Sequence, residues 1–326
     1  MAILLEHRLS EVKFLLNRMG GAVVVLCIVA VLVFMLTRLA SGDPMALLLG
    51  DQATAEDIAQ ARQQYGLDKP LPAQFAIWVG ELMQGNLGQS IFLQRPVAQA
   101  LLERAEPTLF LALFAVSIAA CIGVPMGMVA AIWRGSWADQ LLSGVAMLGA
   151  SIPSFWMGLI LIQFFAVYLG WFPASGYGDP GMDLGQRLYH LALPAVVLGV
   201  LNSALIIRFT RASMLDILGE DYVRTARAKG LPERVIMVKH VLRNALVPII
   251  TVLGLTMALM IGGTVVTETV FNLPGVGNLV VRAVLRRDYP VIQGTLLVIA
   301  AIYVMINLAI DLLYTLVDPR IRLEGS

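Results

Sequence analysis

Few residues in this chain are of a type that does covalent chemistry, and they lie far apart. The three histidines, His7, His190 and His240, form no HExxH-type pair that would hold a metal. The only two cysteines, Cys27 and Cys121, fall inside apolar runs, where they read as small core residues rather than a disulfide or a thiolate site. No G-x-x-x-x-G-K-S/T phosphate loop occurs, so nucleotide hydrolysis by that route is excluded. No catalytic residue and no metal ligand are therefore assigned, and the expectation is a chain that is not an enzyme and carries no cofactor of its own.

The chemistry that remains is electrostatic and polar. Residues 208–243 hold eight Lys and Arg against four acids. Four ionisable groups stand at the edges of apolar runs: Arg208, Arg211, Glu268 and Asp311. Snorkelling or interfacial pairing accounts for such positions. None lies at the middle of a run, which weighs against a proton-driven carrier. Pro153 interrupts one run and frees a backbone carbonyl, and Ser151 and Ser154 flank it as candidates to satisfy that group. Asn202 and Ser203 are an adjacent polar pair inside another run. These four residues, Ser151, Ser154, Asn202 and Ser203, are the candidates for lining a pathway.

The elements that must position these groups follow from composition. Of 326 residues, 58% are hydrophobic and 14% charged, well below the 25% or so of a soluble domain. Cut at its charges, the chain yields six apolar segments: 19–37, 107–133, 141–169, 188–207, 244–267 and 289–310. About 20 apolar residues span a bilayer as a helix, and none of the six alternates as a barrel strand would. A cytosolic globular enzyme is excluded. The fold class is all-α, with six transmembrane helices. Residues 1–18 precede the first span, whose apolar run is too long for a signal peptide.

Orientation rests on Lys and Arg. With the N-terminus inside, 14 fall on the inner side and nine on the outer. Arg282, Arg286 and Arg287 argue the other way, yet the total places both termini in the cytoplasm. Residues 41–106 then form an outer segment, with Thr54-Ala-Glu-Asp57 as a capping box, Gly66 as a stop, and Pro72 and Pro96 in the first turns of two more short helices. A small Gly123–Gly127 face predicts close helix packing.

Residues 208–243 read as an elbow. Leu215, Leu218, Tyr222 and Ala226 make one apolar stripe, and Glu220 sits four residues before Arg224. Gly230 stops that helix, and Pro232 opens a second that runs on through Val235, Ile236, Val238, Val241 and Leu242. A solvated basic loop, a DNA-binding helix-turn-helix and a docking lever are the readings. Tethering of both ends close to the bilayer disfavours DNA, and the defined elbow fits a lever best.

Here the residues carry a resemblance. The run Asp221-Tyr-Val-Arg-Thr-Ala-Arg-Ala-Lys-Gly230, followed by His240-Val-Leu-Arg-Asn-Ala-Leu-Val-Pro248, resembles the coupling loop of bacterial ABC-importer permeases of the dipeptide/oligopeptide/nickel class. Gly42-Asp-Pro44, Ser151-Ile-Pro-Ser-Phe-Trp156, Pro274-Gly-Val-Gly277, Arg287-Asp-Tyr-Pro290 and Asp318-Pro-Arg320 resemble the same family in the same order, so that the likeness covers roughly residues 20–322. The general importer pattern begins Glu-Ala-Ala, where this chain has Arg224-Thr225-Ala226, and ends with a Leu-Pro that His240-Val-Leu-Arg243 lacks. Both departures are shared by many peptide permeases.

The resemblance implies a permease core over 107–315 in the bacterial inner membrane, a periplasmic segment 41–106 and a cytoplasmic tail 316–326. It implies a homologous second permease, two cytoplasmic ATPases that bind ATP and Mg²⁺, and a periplasmic solute-binding protein, with no nucleic acid. The ATPase contact falls on Asp221, Tyr222, Arg224, Thr225, Ala226, Lys229 and Gly230. The cargo is a dipeptide or short oligopeptide, with glutathione and nickel chelates as alternatives within the class. A gradient-driven carrier is the reading from another class.

Overall fold

The structure, a computed structural model, describes residues 2–39, 45, 49–50, 53–64, 66–179 and 181–317. Two of the motifs above, Gly42-Asp-Pro44 and Asp318-Pro-Arg320, lie outside the described residues, as do Arg320 and Arg322. The described residues are helical almost throughout. The elements are α1 (Ala2–Leu39), α2 (Ala55–Gln64), α3 (Leu71–Met83), α4 (Val97–Ile132), α5 (Trp137–Ser151), α6 (Ser154–Tyr168), α7 (Leu184–Leu218), α8 (Asp221–Ala228), α9 (Glu233–Gly263), α10 (Val265–Val270), α11 (Val276–Arg286) and α12 (Tyr289–Val317).

Five of these helices (α1, α4, α7, α9 and α12) are long and apolar enough to cross a membrane. The pair α5–α6 makes a sixth span if its two arms are counted as one. The sequence expects a kink at Pro153, but the structure has a break. Ile152 and Pro153 are both extended, and the arms diverge by 95°. The flanking serines do not repair it as expected. The Gly149 carbonyl, which a residue at 153 would have bonded, accepts the Ile152 N–H at 3.3 Å, while Ser151 Oγ donates to Met147 O. Two extended residues satisfy the ladder at the break, so the hydroxyls are not needed there.

The chain divides into two compact units, 1–106 with 274–304 and 107–273 with 305–326. In the first, Thr54 and Asp57 form a reciprocal capping box (N–H to carboxylate 3.0 Å, N–H to hydroxyl 3.2 Å) that opens α2. The hydroxyl also donates to the carboxylate at 2.6 Å, and together these bonds hold the Asp57 carboxyl below its usual range. Gly66, at φ +64°, closes the helix as expected. Phe75 and Trp78 of α3 pack on the buried Phe34 ring of α1 at centroid distances of 5.2 and 5.6 Å. Pro96 does not start a short helix. It leads directly into α4, the 36-residue helix of the second span, which runs on through Pro107 and Pro125 to Ile132.

Residues 276–286 are a helix that the apolar-segment reading passed over. Val276, Leu279 and Ala283 of α11 pack on Val97, Ala100 and Leu101 of α4 and on Val291 of α12. Just beyond it, Arg287 takes a left-handed φ of +54° and Asp288 turns inward. Asp288 is 2% exposed and accepts three hydrogen bonds, from Ser90 Oγ at 2.5 Å and from the backbone N–H groups of Ile91 and Phe92 at 3.2 Å each. One carboxylate thus pins the 88–97 loop. A hydrogen bond to a charged group contributes about 1.5–3 kcal/mol, and orphaning buried donors costs further. Asp288→Ala is expected to lower the local opening free energy by about 2 kcal/mol. Amide hydrogen exchange at Ile91 and Phe92 then accelerates about 30-fold. Unchanged exchange there contradicts the clamp.

In the second unit α7 is the most buried of the spans. The Gly123–Gly127 face of α4 meets it as the sequence expects. An added Cβ at Gly123 would lie 2.5 Å from Ile206 Cβ, and one at Gly127 would lie 2.7 Å from Ile207 O. Gly199 of α7 returns the contact against Ile118 and Ala115 O. Small residues let the two backbones approach closely where lipid supplies no hydrophobic drive.

Candidate functional site

The elbow between α7 and α9 is more finely divided than its periodicity suggests. α7 runs on to Leu218, eleven residues past the apolar run, and ends at Gly219. Glu220 is extended and caps α8, so the stripe expected over 215–226 is split between two helices. The inward face of α8 is Val223 and Ala226; Tyr222, expected in the stripe, is 42% exposed. Starting a new helix at Asp221 shifts the phase of the pattern, which is why the single-helix reading misplaces Tyr222. Val223 and Ala226 bury against Met214 of α7, Ile236, Met237, Val241, Ala245 and Ile249 of α9, and Ala131 of α4.

Gly230 is the corner, at φ +75°, with open space where a Cβ would stand. Pro232 stands immediately before α9, whose residues 236–242 take wider π-type turns at its root. Two polar bridges cross the corner. Arg227 meets Glu233 through Nη2–Oε1 at 2.7 Å and Nε–Oε2 at 3.3 Å, and this fork pushes the guanidinium pKa up. Asn244 Nδ2 donates to Tyr222 Oη at 2.8 Å and to His240 O at 2.7 Å. The expected Glu220–Arg224 pair does not form. Arg224 Nη1 stands 3.5 Å from Asp221 Oδ1 instead, because Glu220 lies outside the helix as its cap.

Of the seven residues assigned to a partner contact, Asp221, Tyr222, Arg224, Thr225, Lys229 and Gly230 are exposed on the outer side of the elbow, while Ala226 is buried in its root. An exposed polar face on a hydrophobically anchored, doubly bridged corner can transmit a push into α7 and α9 together.

Within the span, the four pathway candidates separate. Asn202 lines an open cleft of about 290 Å³ together with Ala150, Leu201, Ala204, Leu205 and Arg208. Its neighbour Ser203 is buried, its hydroxyl bonds to Val200 O and its backbone carbonyl faces Gly123, so it packs and does not line the cleft. Ser151 is exposed at the break next to Ala150, and Ser154 is half-buried on the far side of it.

Besides the Arg227–Glu233 fork and the Asp288 clamp, three more polar contacts escaped the sequence. Arg211 forks onto Asp139 (Nε–Oδ1 2.7 Å, Nη2–Oδ2 2.8 Å), which Ser136 places by capping α5. Asp139 opening a helix after Ser136 was a legible signal. Glu268, expected at an interface, is fully buried and accepts from Thr108 Oγ1 at 2.7 Å and Thr264 Oγ1 at 2.9 Å. Thr264, one turn back, and Thr108 of α4 hold it there. The third is the Tyr222–Asn244 bridge, for which 22 residues of separation leave no local signal.

Comparison with known proteins finds two family profiles. Residues 123–323 match the binding-protein-dependent transport system inner membrane component, and residues 11–112 match the N-terminal part of such membrane components. The chain is 45% identical over 309 residues to a probable peptide ABC transporter permease of Sinorhizobium fredii, covering 95% of this chain and 99% of that one. It is 44% identical over 312 residues to a putative peptide transport system permease of Brucella abortus, with the same coverage of each chain. It is 43% identical over 310 residues to the glutathione transport system permease of Escherichia coli, again covering 95% and 99%. Among solved structures, the inward-facing MetNI methionine ABC transporter shares the fold, with a TM-score of 0.55 at 20% identity over 68% of this chain and 97% of that one.

Proposed function

The chain belongs to the family of binding-protein-dependent transport system inner membrane components, as an ABC-importer permease of the dipeptide/oligopeptide class, and on that premise we propose that it imports dipeptides or short oligopeptides. It is a multi-pass membrane subunit and not itself catalytic. The energy comes from two partner ATPases, which bind ATP and Mg²⁺. A homologous second permease completes the pathway, and a solute-binding protein delivers the cargo at the outer face of a bacterial inner membrane. Both termini and the elbow face the cytoplasm.

The observation that carries this reading is the elbow. Asp221, Tyr222, Arg224, Thr225, Lys229 and Gly230 present an exposed face to an ATPase groove, and the buried root hands the motion to α7 and α9. Ala226 serves that root. Along the span, Asn202 and the break at Ser151 and Ser154 border the passage. Glutathione, a small anionic peptide, is the second cargo reading, favoured by the 43% identity to a glutathione permease.

The test is uptake by the complete transporter in proteoliposomes, with labelled tripeptide or glutathione delivered by its binding protein. ATP inside the vesicles is expected to drive accumulation that survives an uncoupling ionophore. Uptake that stops when the proton gradient collapses at constant ATP assigns the chain to gradient-driven carriers and overturns the proposal. Preference for one cargo at equal binding-protein loading decides between the two readings.

A further inference from the structure

We infer that the cleft between α5 and α7 is a transit site for the carboxylate end of the cargo, with Arg208 holding the carboxylate and Asn202 the adjoining peptide group; this rests on the peptide-import reading above. α7 is the most buried span, and Leu205 and Arg208 are exposed along the cleft. A strip facing mid-bilayer hydrocarbon is apolar as a rule, because a polar or charged side chain there is costly; a guanidinium at the edge of a span snorkels, but Asn202 lies nearly two turns deeper. This one carries a carboxamide and a guanidinium.

The two groups are available to a ligand. Arg211, one turn further along α7, is engaged in a fork on Asp139, whereas among the described residues no carboxylate pairs with Arg208. Asn202 spends one N–H on Leu198 O at 2.8 Å, which leaves its second N–H and its carbonyl oxygen. A guanidinium matches a carboxylate with two parallel hydrogen bonds, and a carboxamide matches a peptide group as both donor and acceptor. Arg208 follows Asn202 by six helical steps along α7, a rise of about 9 Å. About three extended residues at roughly 3.3 Å each cover that length. The volume, about 290 Å³, stands near the lower end of the roughly 300–1,000 Å³ of small-ligand pockets. Chemistry and length together select a short peptide with a free C-terminus.

The experiment uses the assembled transporter in proteoliposomes, with Cys27 and Cys121 replaced by serine and Leu205→Cys introduced at the middle of the cleft. Uptake of trialanine by the parent complex is measured first and tests the import reading by itself. The introduced thiol is then titrated with a charged, water-soluble methanethiosulfonate in the presence of trialanine or trialanine amide. The expected result is rapid modification, slowed at least five-fold by millimolar trialanine and little affected by the amide. Protection by the free acid disappears in Arg208→Gln and weakens in Asn202→Ala. A thiol that the reagent cannot reach places the strip against lipid or another subunit and overturns the site. Equal protection by acid and amide, or protection that survives Arg208→Gln, overturns the carboxylate assignment. Loss of modification only in vesicles rich in anionic lipid assigns Arg208 to a lipid headgroup instead.

Discussion

Replacing Gly230 with tryptophan is expected to cut ATP-driven uptake at least ten-fold while the transporter still assembles. The space around this glycine is open, with no atom within 4 Å of a built Cβ, so the indole meets nothing inside the chain. It projects from the corner of the elbow, where the proposed ATPase groove must close. The backbone adds a second, smaller effect. At φ +75° an L-residue with a Cβ costs about 1–2 kcal/mol. Two further variants separate the effects. Gly230→Asn tolerates the left-handed conformation and should retain most uptake. Gly230→Ala bears the strain without the bulk and should lie between. ATP hydrolysis measured beside uptake distinguishes uncoupling, in which hydrolysis continues without transport, from failure to assemble. Uptake of Gly230→Trp at the parent rate contradicts the lever.

The second large effect lies in the membrane. Gly127→Leu is expected to abolish recovery of folded protein in mild detergent, with at least a ten-fold fall in monodisperse yield. The first carbon added would lie 2.6 Å from Thr210 Cβ and 2.7 Å from Ile207 O, and backbone cannot rotate away as a side chain can. Overpacking of this kind costs about 1–3 kcal/mol or more for even modest insertions, and a leucine adds four carbons. Total stabilities of about 5–15 kcal/mol leave little margin. Gly144→Leu on α5 is the matched control. Its Cβ meets nothing within 4 Å, and the yield should stay within two-fold of the parent. Equal yields for the two variants contradict the α4–α7 contact.

Signals that live within one helix or one turn were legible, and contacts between distant segments were not. Gly123 and Gly127 announce their packing because both are small and four apart on one face, and the structure seats them on Ile206 and Thr210. Thr54 and Asp57 likewise carry their capping box in the spacing alone. Tyr222 was misplaced because a periodic pattern does not show where one helix stops and the next begins; Gly219 and Glu220 reset its phase. α11 was passed over because a search for uncharged runs rejects a helix ending in Arg282 and Arg286, although its apolar face packs inward. Glu268 read as an edge charge, and Asp288 only as part of the Arg287-Asp-Tyr-Pro290 motif, because the partners that bury them, Thr108 and the Ser90 loop, are 160 and 198 residues away. The six ordered motifs carried the family further than local physics carried the fold.

The most direct test of an ATPase-driven permease is co-purification of the tagged chain from its native membrane in mild detergent, with partners identified by mass spectrometry. The expected result is a second six-span permease and ATPases bearing phosphate loops recovered together with this chain, with the ATPases lost when the exposed face of α8 is replaced. Recovery of this chain alone, stable and transporting cargo without them, would contradict the account.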